Sequence, residues 1–313
     1  MLLKSEFTII DALHDGRKST PKTLANETHL SRSTVYRAVD SLVDANLVKN
    51  HNPGGRRHQL SLTTNPVNEQ YRHLKATQGH VEWADLLSPS AVRVLWCLLE
   101  NRDISEVSSR LNITRQACHQ AMKPFKRRSM INSYGPRYRL ISGIKPLHSV
   151  VRELVIHGHR VRARREAPSA TIAWSDPTQS IIRIETQHDT EALLSDDQWE
   201  LTGLARFRDY GLDFGIPGEP QFAYGVGNIE PAELVCHTLV LNQDSRRIAY
   251  SMLLIEKCGI SLSDIRDTAE WFGIDDILQK MFHALAGTFP RFPDHSFPSE
   301  QEYNELKTMY GMN

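Results

Sequence analysis

The sequence contains few cysteines and no long apolar run. Its four cysteines, Cys97, Cys118, Cys236 and Cys258, lie far apart in the 313 residues and form no C-x-x-C pair. This spacing favours reduced thiols over a disulfide framework or a zinc site. No apolar run approaches the roughly 18 residues that a membrane span requires, and the N-terminal residues lack a cleavable signal pattern. We therefore expect a cytoplasmic protein that does not cross a membrane.

Enzymatic motifs are also missing. The sequence has no phosphate-binding glycine loop, no dinucleotide fingerprint, no nucleophile elbow and no histidine-rich metal signature. A metal-dependent nuclease is one alternative, suggested by Asp176 and Glu185. Many such nucleases hold magnesium with an acidic residue followed by a strand that carries E-x-K. Here the strand continues Glu185-Thr186-Gln187, without the lysine. We therefore predict no catalytic residue, no cofactor and no metal.

The formal net charge is zero, but the two halves of the chain differ in sign. Residues 1–166 hold 27 Lys and Arg against 14 Asp and Glu, whereas residues 167–313 hold 10 against 23. A basic half suits a polyanion such as DNA, because lysine and arginine displace the counterions condensed on phosphates. Two solvated surfaces of opposite sign are the alternative interpretation of the charge alone.

A structural repeat emerges when the sequence is shifted along itself by 83 residues. The segment Leu24–Val39 then falls on Val107–Met122, with Ser31 on Thr114. Few positions are identical, but the order of apolar, capping and basic positions is preserved, as expected of a repeated unit. Each copy predicts three helices and a hairpin, with Ser31 and Thr114 as the N-caps of the third helices.

The third helix of each copy has one apolar face and one face of long, donor-rich side chains. In the first copy the predicted DNA contacts are Arg32, Ser33, Thr34, Tyr36 and Arg37. In the second copy they are Arg115, Gln116, His119, Gln120 and Lys123. Both sets begin at the helix N-terminus, the part of a recognition helix that enters the major groove. Arginine there bonds guanine O6 and N7, and glutamine bonds adenine N6 and N7.

A hairpin with a glycine turn follows each third helix. In the first, Leu47–Leu62, the basic residues beside the tip are Arg56, Arg57 and His58. In the second, Met130–Ile141, they are Arg137 and Arg139. A basic tip of this kind contacts backbone phosphate or the minor groove, so we predict DNA contacts from both hairpins.

The segment HLSRSTVYRAVDSLVDANLVKN and its hairpin resemble the winged helix-turn-helix of many bacterial and archaeal repressors. The resemblance covers residues 5–62 and, more weakly, 88–141. It implies a protein that binds double-stranded DNA sequence-specifically and regulates transcription by repression. The second copy departs at Pro124, which should kink or end its third helix. The basic residues around this proline, Lys123, Lys126, Arg127 and Arg128, form either a phosphate clamp or a solvated helix end favoured by the helix dipole.

The C-terminal half predicts a helix over Lys145–Arg165, in which His157 and His159 are expected to be exposed. A hairpin over 170–185 and a series of helices follow, with Ser261 or Ser263 and Asp275 as caps and glycines as stops. Cys236 and Cys258 are expected in the core. The segment LTGLARFRDYGLDFGIP resembles the C-terminal domain of AbiEi-like antitoxin-type repressors. That resemblance implies oligomerisation, partner sensing or extra DNA contact.

Together these patterns predict a mainly α fold with small β wings. The predicted domains are a winged helix-turn-helix over 1–66, a linker over 67–86, a second winged helix-turn-helix over 87–143, a C-terminal domain over 144–290 and a tail over 291–313. We expect the tail to be a loose arm or a segment packed on a neighbour. Besides DNA, a homodimer and a protein partner for the acidic half are left open. An antitoxin that represses its own operon and a plasmid-type replication initiator are the alternative functions.

Overall fold

The computed structural model describes residues 1–52, 58–214, 220–290 and 297–312. The chain forms two compact units: the first comprises Met1–Val161 and Asp176–Thr178, and the second comprises Arg162–Ser175 and Gln179–Asn313. The fold is mainly α with small antiparallel sheets, which confirms the predicted class. None of the described helices is both long and apolar enough to span a membrane.

The first module consists of three helices and a hairpin: α1 (Lys4–Leu13), α2 (Pro21–Thr28), α3 (Arg32–Asp44), β1 (Val48–Asn50) and β2 (Leu60–Leu62). The two strands pair antiparallel, with Val48 opposite Leu62. Apolar residues three, four or seven positions apart lie on one face of each helix and form the core. Fully buried examples are Ile9, Leu13, Leu24, Val35 and Leu42.

Two packed helices, α4 (Pro66–Thr77) and α5 (Trp83–Leu86), occupy the residues where the sequence predicts a linker. Tyr71 and Trp83 are buried, and the Tyr71 hydroxyl donates to Asp11 on α1 at 3.2 Å. The structure differs from the predicted linker because the apolar residues at positions 67, 71 and 74 lie on one face of α4. The many polar residues between them make this helical spacing hard to recognise in the sequence.

The second module repeats this order with one added strand: α6 (Pro89–Cys97), β3 (Arg102–Asp103), α7 (Ile104–Leu111), α8 (Arg115–Lys126), β4 (Ile131–Tyr134) and β5 (Arg137–Leu140). Its strands form an antiparallel sheet in the order β3-β5-β4. Helix α8 continues through Pro124 and ends at Lys126. The missing N–H of Pro124 affects only the last turn, so the proline marks the end of the helix without interrupting it.

Helix α9 (Lys145–Glu166) forms where the sequence predicts a helix. The expectation that its two histidines are exposed is wrong, because His157 and His159 are only 5% and 6% exposed. His159 lies four residues after Val155 and four before Ala163, both of which are buried. The buried face of α9 therefore extends to His159, although the surrounding arginines suggest a solvated helix end.

The second unit contains an antiparallel sheet with the strand order β6-β7-β9-β8. The strands are β6 (Thr171–Ser175), β7 (Ser180–Arg183), β8 (Trp199–Thr202) and β9 (Gln221–Tyr224). Helix α10 (Gln187–Leu194) precedes β8, and a 3₁₀ helix (Gly203–Tyr210) follows it. The predicted hairpin is confirmed as β6–β7. Both faces of the sheet are covered, because the successive residues Ile181 and Ile182 belong to different core clusters.

Five helices follow in the described part of the second unit: α11 (Pro231–Leu241), α12 (Ser245–Cys258), α13 (Leu262–Phe272), α14 (Asp275–Leu285) and α15 (Glu300–Met309). Ser261 occupies the cap position of α13, and Gly259 and Gly273 end α12 and α13 in the left-handed conformation. The prediction that Asp275 is a cap is wrong, because it is the first residue of α14. Its negative charge at the N-terminus of α14 still interacts favourably with the helix dipole.

Two further expectations for the C-terminal half are corrected. The tail, expected to be a loose arm or packed on a neighbour, forms α15 within the second unit, where the buried Tyr303 donates its hydroxyl to Glu256 at 2.8 Å. Of the cysteines expected in the core, Cys236 is buried but Cys258 is exposed. Cys258 is the last residue of α12 and follows two charged residues, so it lies on the polar side of the final turn.

Candidate nucleic-acid interface

Helix α3 has one face in the core and one in solvent. Ser31 caps the helix and accepts a hydrogen bond from the N–H of Thr34 at 3.2 Å. The hydroxyls of Ser33 and Thr34 lie 2.9 and 2.8 Å from that of Ser31. Val35 and Leu42, which are seven residues apart, are fully buried and fix the rotation of the helix.

The outer face of α3 carries the side chains that the sequence predicts as DNA contacts. The exposed ones are Arg32, Ser33, Tyr36 and Arg37, and Thr34 is half-buried. Tyr36 keeps 48% of its surface exposed. Within the described residues, neither Arg32 nor Arg37 has a carboxylate at ion-pairing distance. Both positive charges are therefore available to an incoming anion.

The described part of the first wing includes only one of its three predicted contacts. Arg56 and Arg57 lie outside the described residues. His58 is half-buried, and its Nδ1 accepts a hydrogen bond from the side-chain amide of Asn50 at 2.7 Å. Its ring therefore joins the two arms of the hairpin, which reduces the surface that it offers to a ligand.

The base of the first wing is electropositive. Lys18 and Lys49 are exposed near His51, whose Nε2 lies 2.8 Å from the hydroxyl of Ser61. The pKa of His51 is lowered, first by desolvation and then by the positive charges of these two lysines. Such a field favours the approach of phosphate groups.

Helix α8 presents the second predicted set in the same way. Thr114 caps it, accepting a hydrogen bond from the N–H of Ala117 at 3.1 Å. Cys118, Met122 and Phe125 are fully buried. The five predicted contacts on the opposite face are all exposed: Arg115, Gln116, His119, Gln120 and Lys123.

The second wing differs from the expectation of a free basic tip. Arg137 lies 3.5 Å from Glu106, and Arg139 lies 3.7 Å from Glu100. Hydrogen bonds from Ser105 first, and then the positive charges of nearby arginines including Arg137, lower the pKa of a third carboxyl, that of Asp103. The sequence does not indicate these pairs, because each acidic residue is more than thirty positions from its arginine. The wing arginines are therefore partly neutralised.

Sequence reasoning also missed the tyrosines of the second wing. Tyr138 on β5 lies between two side chains of α8: its ring centroid is 6.0 Å from that of His119 and 3.8 Å from the ammonium of Lys126. Tyr134, at the end of β4, is 57% exposed. The alternation of side chains along the hairpin could have predicted that these two residues face opposite sides of the sheet.

The acidic residues behind the nuclease alternative are accounted for without a metal. Asp176 is fully buried, and its carboxylate accepts hydrogen bonds from Arg110 at 2.9 Å and Thr178 at 2.7 Å. Glu185 is exposed. Burial raises the pKa of the Cys236 thiol, which disfavours the thiolate that a metal would require. No cluster of three or more candidate metal ligands occurs among the described residues.

Comparison with protein families adds information at both ends of the chain. The model of the MarR family matches residues 2–58, which include α1 to α3 and β1. The model of the HVO_2833_C family, which describes a C-terminal domain, matches residues 196–312. A search of curated proteins gives no significant match. The first module is thus similar to the winged helix of a family of DNA-binding transcription regulators.

Proposed function

We propose that the protein binds double-stranded DNA sequence-specifically through α3 and regulates transcription, as a repressor that occupies its operator. The observation that carries this proposal is the outer face of α3, where Arg32 and Arg37 are exposed without carboxylate partners among the described residues. The similarity of residues 2–58 to the MarR family supports it.

The chemistry of that face suits base contacts in the major groove. Arg32 is the first residue of α3, where the helix dipole adds positive potential. Its guanidinium has the geometry to donate two hydrogen bonds to guanine, and Arg37, five residues further along the helix, has the same geometry. Tyr36 supplies an aromatic surface and a hydroxyl, and Ser33 a second hydroxyl. From the sequence, we propose that Arg56 and Arg57 of the wing contact backbone phosphates and so fix the position of the protein along the DNA.

The test measures discrimination between sequences. Fluorescence anisotropy compares a duplex from upstream of the protein's own gene with a scrambled duplex of the same composition. We expect Arg32→Ala to remove about 1–3 kcal/mol of the preference for the first duplex, the contribution of one bidentate contact. Arg32→Lys, the matched control, keeps the charge but not the planar fork, so it should lose the preference while retaining binding to the scrambled duplex. If both variants keep the full preference, Arg32 does not contact the bases, and the proposed role of α3 fails at its first residue.

Regulation is tested separately from binding. A reporter behind the upstream region should be expressed more strongly when Arg32→Ala replaces the wild-type protein, because a repressor that leaves its operator frees the promoter. Reduced expression would indicate an activator. The antitoxin and replication-initiator hypotheses, a homodimer and a protein partner for the acidic half stay predictions from the sequence, as does base contact by α8.

A further inference from the structure

The wing of the second module is poorly suited to bind phosphate. A DNA backbone that contacted Arg137 or Arg139 would meet a guanidinium that already has Glu106 or Glu100 beside it. Each exposed pair is worth only about 0–1 kcal/mol. The carboxylate would nevertheless lie close to the bound phosphate and repel it, so the net gain from each wing arginine would be small.

The end of α8 has the opposite character. Lys123, Arg127 and Arg128 are exposed, and none of them has a carboxylate partner among the residues that the structure describes. The helix itself, RQACHQAMKPFK, contains no Asp or Glu. An approaching polyanion would therefore meet three cations without first breaking an ion pair.

These cations continue the exposed face already assigned to α8. Lys123 lies four residues after His119, and Arg127 lies four residues after Lys123. Residues four apart in a helix are neighbours on one face. The exposed stripe thus extends from the predicted base contacts near the start of α8 to the basic end of the helix.

Two contacts restrain the side chains at this end before any ligand binds. Arg128 donates from Nη1 to the carbonyl oxygen of Pro124 at 3.1 Å, which leaves its other N–H groups for a ligand. The ammonium of Lys126 lies 3.8 Å from the centre of the Tyr138 ring on β5. This cation–π contact joins the helix end to the sheet. Restrained cations lose less conformational entropy when they bind.

We propose that the second module binds the sugar–phosphate backbone of duplex DNA with the C-terminal end of α8, through Lys123, Arg127 and Arg128, and not with its wing. The inference rests on the proposed DNA binding and adds a second, sequence-independent point of contact. It separates the contacts that select the sequence, on α3, from those that supply general affinity.

The test is the salt dependence of binding, measured with the same two labelled duplexes between about 50 and 200 mM salt. The variant R127Q/R128Q is compared with R137Q/R139Q, which removes the same number of positive charges from exposed side chains of the same module. Each phosphate contact contributes about 0.9 to the slope of log K against log salt. We expect R127Q/R128Q to lower the slope by about 1–2 and to weaken binding to both duplexes alike. R137Q/R139Q should leave the slope nearly unchanged.

The outcomes separate this inference from the proposed function. An unchanged slope in R127Q/R128Q, or a fall at least as large in R137Q/R139Q, would overturn it. The variant R127K/R128K keeps both charges and should retain the wild-type slope, and a fall in that variant would also count against a phosphate contact. Preference between the duplexes, which Arg32→Ala tests, reports on contacts with the bases and not on this phosphate contact. If the wild-type protein binds neither duplex, both proposals are wrong.

Discussion

Among the glycines that the structure describes in the second unit, Gly203 is the one where an added methyl group should be most destabilising. It begins the 3₁₀ helix with a φ of +66°, and a Cβ built there would lie 2.0 Å from Oε1 and 3.1 Å from Cδ of Gln221 on β9. Gln221 is 9% exposed and stands opposite Thr202 in the sheet. Its side chain therefore has little room to move away.

The expected change in the free energy of unfolding for Gly203→Ala is the sum of three terms. The left-handed conformation costs a non-glycine residue about 1–2 kcal/mol, and the reduced freedom of the unfolded chain returns about 0.4–1 kcal/mol. Displacing a buried side chain costs about 1–3 kcal/mol. We expect a total destabilisation of about 2–4 kcal/mol, or a fall in Tm of about 5–15 °C.

Two controls isolate the steric term in thermal unfolding followed by circular dichroism. Gly259→Ala, at a φ of +63° with no atom within 4 Å of the added Cβ, should show only the backbone term of about 1 kcal/mol. In a Gln221→Ala background, the destabilisation caused by Gly203→Ala should fall to a similar value, because the obstructing atoms are gone. If Gly203→Ala is no worse than Gly259→Ala, or loses nothing of its effect in that background, the predicted clash is not real.

Two further predictions concern buried titratable side chains in the first unit. Burial first, and then the positive charges of Arg160 and the N-terminal amine, lower the pKa of His157 from 6.5 to about 4. The unfolded chain then binds more protons, so stability should fall by up to about 3 kcal/mol as the pH drops from 6.5 towards 4. His157→Leu should flatten this dependence in urea titrations at several pH values, and an unchanged pH slope would contradict it. Asp176→Asn should destabilise the unit by up to about 3 kcal/mol, because it deprives Arg110 of its buried partner. R110M/D176N should be less affected than Asp176→Asn alone, and equal or greater damage would argue against the ion pair.

The sequence predicts helices α3 and α8 well because their determinants are local. Ser31 and Thr114 stand one residue before the first turn of α3 and α8, where a hydroxyl satisfies an otherwise unpaired N–H. The apolar spacing within each helix then determines which face is exposed. Cap and spacing lie within about a dozen residues, so one sequence suffices to place the predicted contacts outward.

The errors concern pairs that only the tertiary structure brings together. The partner of Arg137 is on α7, and that of Arg110 is on the turn after β6. His157 precedes a run of arginines in the sequence, yet it is buried in the structure. No local pattern encodes the two ion pairs, and the arginines around the α9 histidines outweigh the apolar spacing in the sequence. Sequence reasoning therefore overestimates how many basic and histidine side chains are free.

The exposure of Cys258 gives the protein a natural attachment point for a probe. All four cysteines are described, and the other three are buried, so a maleimide dye should react first at the end of α12. Desolvation raises the pKa of this thiol, so the reactive thiolate is scarce at neutral pH and labelling should be faster at mildly alkaline pH. A single dye in the second unit would leave α3 and α8 chemically unmodified. Association of the protein with DNA could then be followed with an unlabelled duplex and without an engineered cysteine.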